Sequence, residues 1–442
     1  MGELGRTEAL SRVLDAAENA SPLDAVEAVT RTLAATLDAG AAFFLIEDLS
    51  GRGLIRLSSA PGGDAEGAFV ARMGEENATV RFDAAEQAVV LPFDGGPAEV
   101  AVRSQTVQVV PPAGDDPSTG PWTVFAPVTE RGEVLGLLEL TLPTEPDPPT
   151  LVDITRIGHV LSFVIIANRR HTDLFEWGQR TTPFTLPAEI QRRLLPAAFT
   201  CEAGAFTLSA WLEPAASIGG DSFDYSLARD VLHLSLTDAM GHGVASALNA
   251  TLCVGSLRNA RRSGTSLLEQ AAAANVKMCE HAAETGSDGF ATGLLGRLDL
   301  QRGRLALVNA GHVLPYLFRS GAVSTIPLPV DLPFGLFPDS VYRSTDLALE
   351  PGDRLLLVTD GMLERNAAEL DLRDEILATR DLHPREVTRH LTRRVVAVAG
   401  GSLSDDATLL VLDWHGGHGR ERRTSGGSEP HIASGPVPSS HD

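Results

Sequence analysis

Apolar positions along the chain change period several times, and each change marks a predicted element. Leu10, Val13, Leu14 and Ala17 fall at helical spacing over residues 7–20. Ser21-Pro22 then sets an N-cap side chain ahead of a proline, and DAVEAVTRTLAATLDAG predicts a second helix stopping at Gly40. AAFFLIEDLSGRGLIRLSS carries two apolar runs around Ser-Gly-Arg-Gly, a hairpin pattern. Residues 61–120 are rich in Gly, Pro and Asp, with short strand patterns such as VQVV. WTVFAPVTERGEVLGLLELTL predicts a second hairpin, turning at Glu130–Glu133. Beyond the proline-dense TEPDPPT, Leu151, Ile154, Ile157, Leu161, Val164 and Ile165 keep a helical period that is expected to run on to about Trp177.

The second half reads differently. LPAEIQRRLLP is a short helix closed at each end by proline. From residue 204, strand patterns alternate with turns and with two helical stretches, HGVASALNATLCVGSLRNARRS and SLLEQAAAANVKMCEHAAE; a further helix is expected near 384–399. Strands, then helices, then more strands is an α+β order, not regular βαβ alternation. After Trp414 the chain turns to Gly, Ser and Pro with little apolar content, and a disordered tail is expected over 415–442.

Bulk properties narrow the classes. A chain of 442 residues is long enough for two or three domains, and 43% hydrophobic with 21% charged residues is a globular composition. A formal charge of −22 repels phosphate backbones and anionic lipid surfaces, so no nucleic-acid or membrane partner is expected. The three cysteines, Cys201, Cys253 and Cys279, form no CxxC pair, which fits reduced thiols in a cytoplasmic protein. The start MGELGRTEAL has no signal-peptide pattern, and the apolar run VLSFVIIA is shorter than the roughly 20 residues of a spanning helix.

Four aspartates carry the candidate chemistry. Asp238 closes LHLSLTD and is followed by AMGHG, so its carboxylate and the carbonyl of Ala239 face one space where a helix begins. Asp360 closes RLLLVTD ahead of Gly361; Asp405 and Asp406 precede the apolar run ATLLVL; Asp221 follows Gly219-Gly220. Oxygen donors of this kind suit hard divalent cations. Taken singly, each aspartate reads as a helix cap or a turn residue rather than a ligand. Their order within one domain-sized span is what points to a single site.

On these segments, IGGDSFDY, LTDAMGHGVASAL, GRLALVNAGHVLPYLF, LPFGLFPDS, LEPGDRLLLVTDGMLE and DDATLLVL, residues from about 185 to 414 resemble the PPM metal-dependent serine/threonine phosphatases, in the bacterial SpoIIE/RsbU-like branch. The resemblance implies an αββα sandwich of two antiparallel sheets flanked by helices. It implies two Mn²⁺ or Mg²⁺ ions and hydrolysis of phosphoserine or phosphothreonine on a protein. Matched position by position, Asp238 is the bridging carboxylate; the Ala239 carbonyl and Asp221 serve one ion; Asp360 and Asp405 serve the other. Asp406 is expected beside them, orienting water, with Gly220 and Gly361 also in supporting places, and His242 is a candidate general acid for the leaving seryl oxygen. Ala239 stands where the family usually has glycine, and Ser222 where it often has an aromatic residue; neither change removes a ligand.

The first 170 residues resemble, more loosely, an α/β GAF-like sensory domain, on the pattern FAPVTERGEVLGLLELTL between helices. The division expected is a helix over 1–20, the GAF-like domain over 21–170, a helical linker over 171–200, the phosphatase domain over 201–414 and the tail. The same resemblance implies a phosphorylated STAS-type anti-sigma-factor antagonist as substrate and a homodimer through the GAF-like domain and linker. A non-catalytic scaffold and a small-phosphoester hydrolase are the rival expectations.

Overall fold

A computed structural model describes residues 3–59, 79–83, 86–113, 120–181, 184–213, 219–363, 371–400, 403, 405–417, 422, 424 and 426–429. Parts of the predicted 61–120 segment and of the tail therefore lie outside the described residues. The chain forms two compact units, Met1–Pro183 with Arg423–Asp442, and Phe184–Arg422.

The first unit is one antiparallel sheet with helices. Its elements are α1 (Glu3–Asn19), α2 (Ala25–Leu37), β1 (Ala41–Glu47), β2 (Gly53–Ser59), β3 (Thr79–Asp83), β4 (Glu86–Pro92), α3 (Pro97–Ser104), β5 (Gln108–Val110), β6 (Trp122–Glu130), β7 (Glu133–Leu142), α4 (Pro148–Asn168) and α5 (Leu174–Gln179). The strand order is β3-β4-β2-β1-β7-β6-β5. Both predicted hairpins form, and the β6–β7 turn puts Arg131 at φ 46° and Gly132 at φ 78°, the left-handed pair that matches strand twist. One sheet face buries Val29, Leu33, Ile154, Leu161 and Ile165 from α2 and α4 against Ile46, Ile55, Leu138 and Leu140. By length and composition α4 is apolar enough to cross a membrane, yet its Ile154 and Leu161 are core residues of this unit.

The long helix ends at Asn168, short of the expected Trp177. From Ala167 to Asp173 the sequence is almost wholly polar, so the apolar stripe lapses and the chain bends before α5 begins. The expected 171–200 linker is divided, with α5 in the first unit and the next helix in the second. The described tail residues are packed. Gly132 N–H donates to the Gly427 carbonyl at 3.0 Å and the Thr129 hydroxyl to the Gly426 carbonyl at 2.5 Å. Composition alone hides this, because the contact is made by glycine backbone in a slot where a Cβ at 427 would strike the Thr129 carbonyl.

The second unit begins with α6 (Leu186–Leu194), β8 (Thr200–Glu202), β9 (Phe206–Glu213), β10 (Asp221–Leu227), β11 (Val231–Ala239), α7 (Gly243–Arg262) and α8 (Leu267–Thr285). It continues through β12 (Ala291–Asp299), β13 (Arg304–Ala310), β14 (Tyr316–Arg319), β15 (Ala322–Thr325), β16 (Val330–Asp331), β17 (Ser344–Ala348), β18 (Arg354–Val358), α9 (Leu372–Ala378), α10 (Pro384–Val398) and β19 (Ala407–Trp414). One sheet runs β10-β11-β12-β13-β16 with β17 on β13; the other runs β15-β14-β18-β19-β9-β8. Leu234, Leu236, Leu294 and Leu298 from the first face Leu208, Leu357, Leu410 and Leu412 from the second. The outward residues are apolar too: Leu295 and Val308 meet α7 and α8, while Leu356, Leu409 and Val411 meet α9 and α10. A strand buried on both faces reads as an unbroken apolar run, which is why ATLLVL and RLLLV do not alternate. This is the αββα sandwich.

Candidate active site

All the predicted aspartates come to one end of this sandwich. In the β10–β11 pair Asp221 lies directly opposite Asp238, and Asp238 is in turn opposite Thr292 on β12. From the other sheet, β18 and β19 run side by side, and Thr359 N–H extends their ladder to the Thr408 carbonyl at 3.0 Å. Asp360 opens the 3₁₀ turn Asp360–Leu363 just beyond β18, and Asp405-Asp406 lead into β19. The glycines allow the close approach. A Cβ on Gly220 would sit 2.5 Å from the Ala239 carbonyl and 2.9 Å from Ser246 Oγ, and one on Gly361 would strike the Asp406 carbonyl.

Burial and like charge dominate the electrostatics. Burial, then the neighbouring Asp360, Asp405 and Asp406, pushes the Asp238 carboxyl up to about 7. Burial, followed by Asp238 and Asp406, raises Asp221 well above the usual carboxylate range. Hydroxyls from the opposite sheet offset part of this: Thr359 Oγ1 and Thr408 Oγ1 donate to Asp221 Oδ2 at 2.7 and 2.6 Å. Gln191 Nε2, from α6, donates to Asp406 Oδ2 at 2.7 Å and to the Asp221 carbonyl at 2.9 Å. Asp405 Oδ1 accepts the Asp406 amide at 2.8 Å. Asp360 and Asp405 are exposed, whereas Asp221 and Asp406 are buried.

The donor set is all oxygen, and its mutual repulsion is of the kind that a hard divalent cation relieves. Among the described residues, no group of three or more His, Cys, Asp or Glu side chains is drawn close enough to hold an ion as it stands. The acids sense one another across the rim without closing a cage. The Ala239 carbonyl accepts the Ser246 hydroxyl at 2.8 Å, and a carbonyl has a second lone pair for another partner. His242 is the exposed N-cap residue of α7, and its side chain makes no cap hydrogen bond. His312 is buried, with Nδ1 2.6 Å from the hydroxyl of Thr292, and burial pushes it down to about 4. Thr359, Thr408 and Gln191 escaped the sequence reading. The threonines had a signal, standing next to Asp360 and just inside the β19 run; Gln191 had none, being one polar residue in a polar-rich helix.

Residues 228–415 match the family model described as Stage II sporulation protein E (SpoIIE). Protein IcfG of a Synechocystis species is 23% identical over 255 residues, 51% of this chain and 40% of its own length, so the chain spans about two fifths of that relative. The RsbU and RsbW domains of Rv1364c from Mycobacterium tuberculosis are 24% identical over 51% of this chain and 63% of that one, with a TM-score of 0.42. The catalytic domain of the serine/threonine protein phosphatase PstP, solved with two manganese ions, is 18% identical over 47% of this chain and 97% of that one, with a TM-score of 0.38. The segment 228–415, which carries Asp238, Asp360, Asp405 and Asp406 of the rim, is thus similar to the SpoIIE-type phosphatase domain.

Proposed function

We propose that the second unit hydrolyses phosphoserine or phosphothreonine on a protein, with two Mg²⁺ or Mn²⁺ ions, under control of the first unit. The observation that carries this reading is the convergence of Asp221 and Asp238 from one sheet with Asp360, Asp405 and Asp406 from the other. Asp238, whose carboxyl senses Asp360, Asp405 and Asp406, would be the central ligand to the ions. Asp221 offers Oδ1, since Oδ2 is taken by two threonines. Asp360 and Asp405 present exposed carboxylates on the other side. When bound, the ions supply Lewis acidity and a water of lowered pKa. His242, exposed at the start of α7, is the candidate donor of a proton to the leaving oxygen.

A small phosphorylated STAS-type antagonist is the proposed substrate, and the cytoplasm the proposed location. The seven-stranded sheet with α1, α2 and α4 on one side supports a GAF-like sensor. On α4, Val152, Phe163 and Ile166 are exposed on a helical stripe, which supports a dimer through this unit. Manganese-dependent hydrolysis of p-nitrophenyl phosphate, abolished in Asp238→Asn and Asp360→Asn, tests the central reading. Activity undiminished in both variants sinks it. Intact mass of phosphorylated STAS proteins after incubation with the enzyme and Mn²⁺ tests the substrate.

A further inference from the structure

The β6–β7 turn and helix α4 form a narrow slot in the first unit. Thr155 and His159 stand four residues apart on α4 and so share one face of it. His159 Nδ1 donates to the Thr129 carbonyl at 2.8 Å, which ties the helix to the end of β6. From beyond α3, Gln105 Nε2 donates to the Gly132 carbonyl at 2.7 Å. That bond steadies the turn residue whose own N–H reaches into the slot.

Residues 426–429 fill it. The Thr129 hydroxyl donates to the Gly426 carbonyl, and the Gly132 N–H to the Gly427 carbonyl. Ser428 and Glu429 are 3% and 2% exposed, in a stretch whose composition is that of a solvated linker. Both glycines are required. Gly427 has φ 88°, and a Cβ there would strike the Thr129 carbonyl and lie 2.6 Å from His159 Nδ1. A Cβ on Gly426 would lie 2.6 Å from Thr155 Cγ2. Fixed backbone donors beside walls that exclude side chains select a sequence, as a ligand site does.

We propose that this slot is a peptide-binding site selective for a Gly-Gly-Ser-Glu segment, and that its resident ligand is the chain's own tail. The chain leaves the first unit after Pro183 and rejoins it at Arg423, so an occupied slot anchors the second unit to the first through both its ends. Covalent attachment keeps the local concentration of the tail on the order of millimolar, so even a weak site stays filled. The proposal does not depend on the phosphatase reading of the rim.

The test uses the full chain. Gly427→Ala is compared with wild type and with Gly417→Ala, a tail position where an added methyl would make an ordinary contact, 3.5 Å from the Gln301 carbonyl. Hydrogen–deuterium exchange at the Gly132 amide is expected to be about tenfold faster in Gly427→Ala and unchanged in Gly417→Ala. A fluorescein-labelled peptide, RRTSGGSEP, residues 422–430, is expected to bind the vacated slot of Gly427→Ala at least about tenfold more tightly than it binds wild type. The same peptide carrying Gly427→Ala is expected not to bind. Equal exchange at Gly132 in Gly427→Ala and wild type overturns the proposal, as does equal binding of the two peptides. A Gly132 amide that exchanges in wild type as fast as a solvated turn overturns it too, whatever the stability of the variant.

Discussion

Asp221 and Asp238 face each other as a directly opposed cross-strand pair, two carboxylates where strand pairing favours opposite charges or apolar partners. The sheet tolerates this because the hydroxyls of Thr359 and Thr408 serve Asp221, and burial with like charge favours the protonated form of both carboxyls. Activity and metal-free stability should therefore move in opposite directions. Asp238→Asn is expected to lower phosphatase turnover at least about 1,000-fold, by loss of the central ligand. The same change is expected to stabilise the metal-free protein by about 1–2 kcal/mol, by removing like-charge repulsion. Turnover with Mn²⁺ and thermal unfolding in EDTA read the two effects.

Cation binding should be linked to protons. With no cation, Asp238 holds its proton up to about pH 7, and a cation needs it ionised. Below pH 7 binding must expel that proton, so affinity is expected to rise between pH 6 and 8 and then level off. Titrations at pH 6.5 in buffers of different ionisation enthalpy should show proton release that disappears by pH 8.5. Equal affinity at pH 6 and pH 8 would contradict the raised carboxyl.

How much of this could be read from the chain follows from what each residue contributes. Asp238 and Asp360 announce themselves because each ends an apolar run, Asp360 directly before Gly361 and Asp238 three residues before Gly241. The two hairpins of the first unit are equally plain, since Ser-Gly-Arg-Gly and Glu-Arg-Gly-Glu break two apolar runs. Gln191 was illegible, because its partners lie 30 and 215 residues away and nothing local marks a glutamine as buried. The end of α4 at Asn168 is hidden for a related reason: continued helical propensity without an apolar stripe has nothing to pack on.

The glycines beside the acids should be intolerant. Gly220→Ala places a methyl 2.5 Å from the Ala239 carbonyl, and the strand end must shift to admit it. Gly361→Ala meets the Asp406 backbone, which no side-chain rotation can relieve. Each is expected to cost about 2–4 kcal/mol in urea unfolding and to lose most of the cation affinity. Gly255→Ala, in a helix with open space around it, is the control expected to leave cation affinity unchanged and to raise stability by up to about 1 kcal/mol.

Acid should weaken the fold through His312. Burial holds this ring neutral down to about pH 4, whereas an unfolded histidine takes a proton near pH 6.5. Its contribution is complete above pH 6.5 and is lost as pH falls toward 4. Between pH 7 and 5 the loss is expected to be roughly 2 kcal/mol. Urea unfolding at both pH values, with His312→Gln showing a smaller difference, checks it.

The double hydrogen bond from Thr359 and Thr408 to Asp221 has one more consequence. Because a carboxylate rooted in one sheet is gripped by hydroxyls rooted in the other, the centre works as a gauge of sheet alignment. A slide of one sheet past the other by a fraction of a side chain would part these partners before it disturbed the leucine layer between them. Catalytic competence would then fail while the fold stayed intact, and such an enzyme could be silenced by shear rather than by a plug.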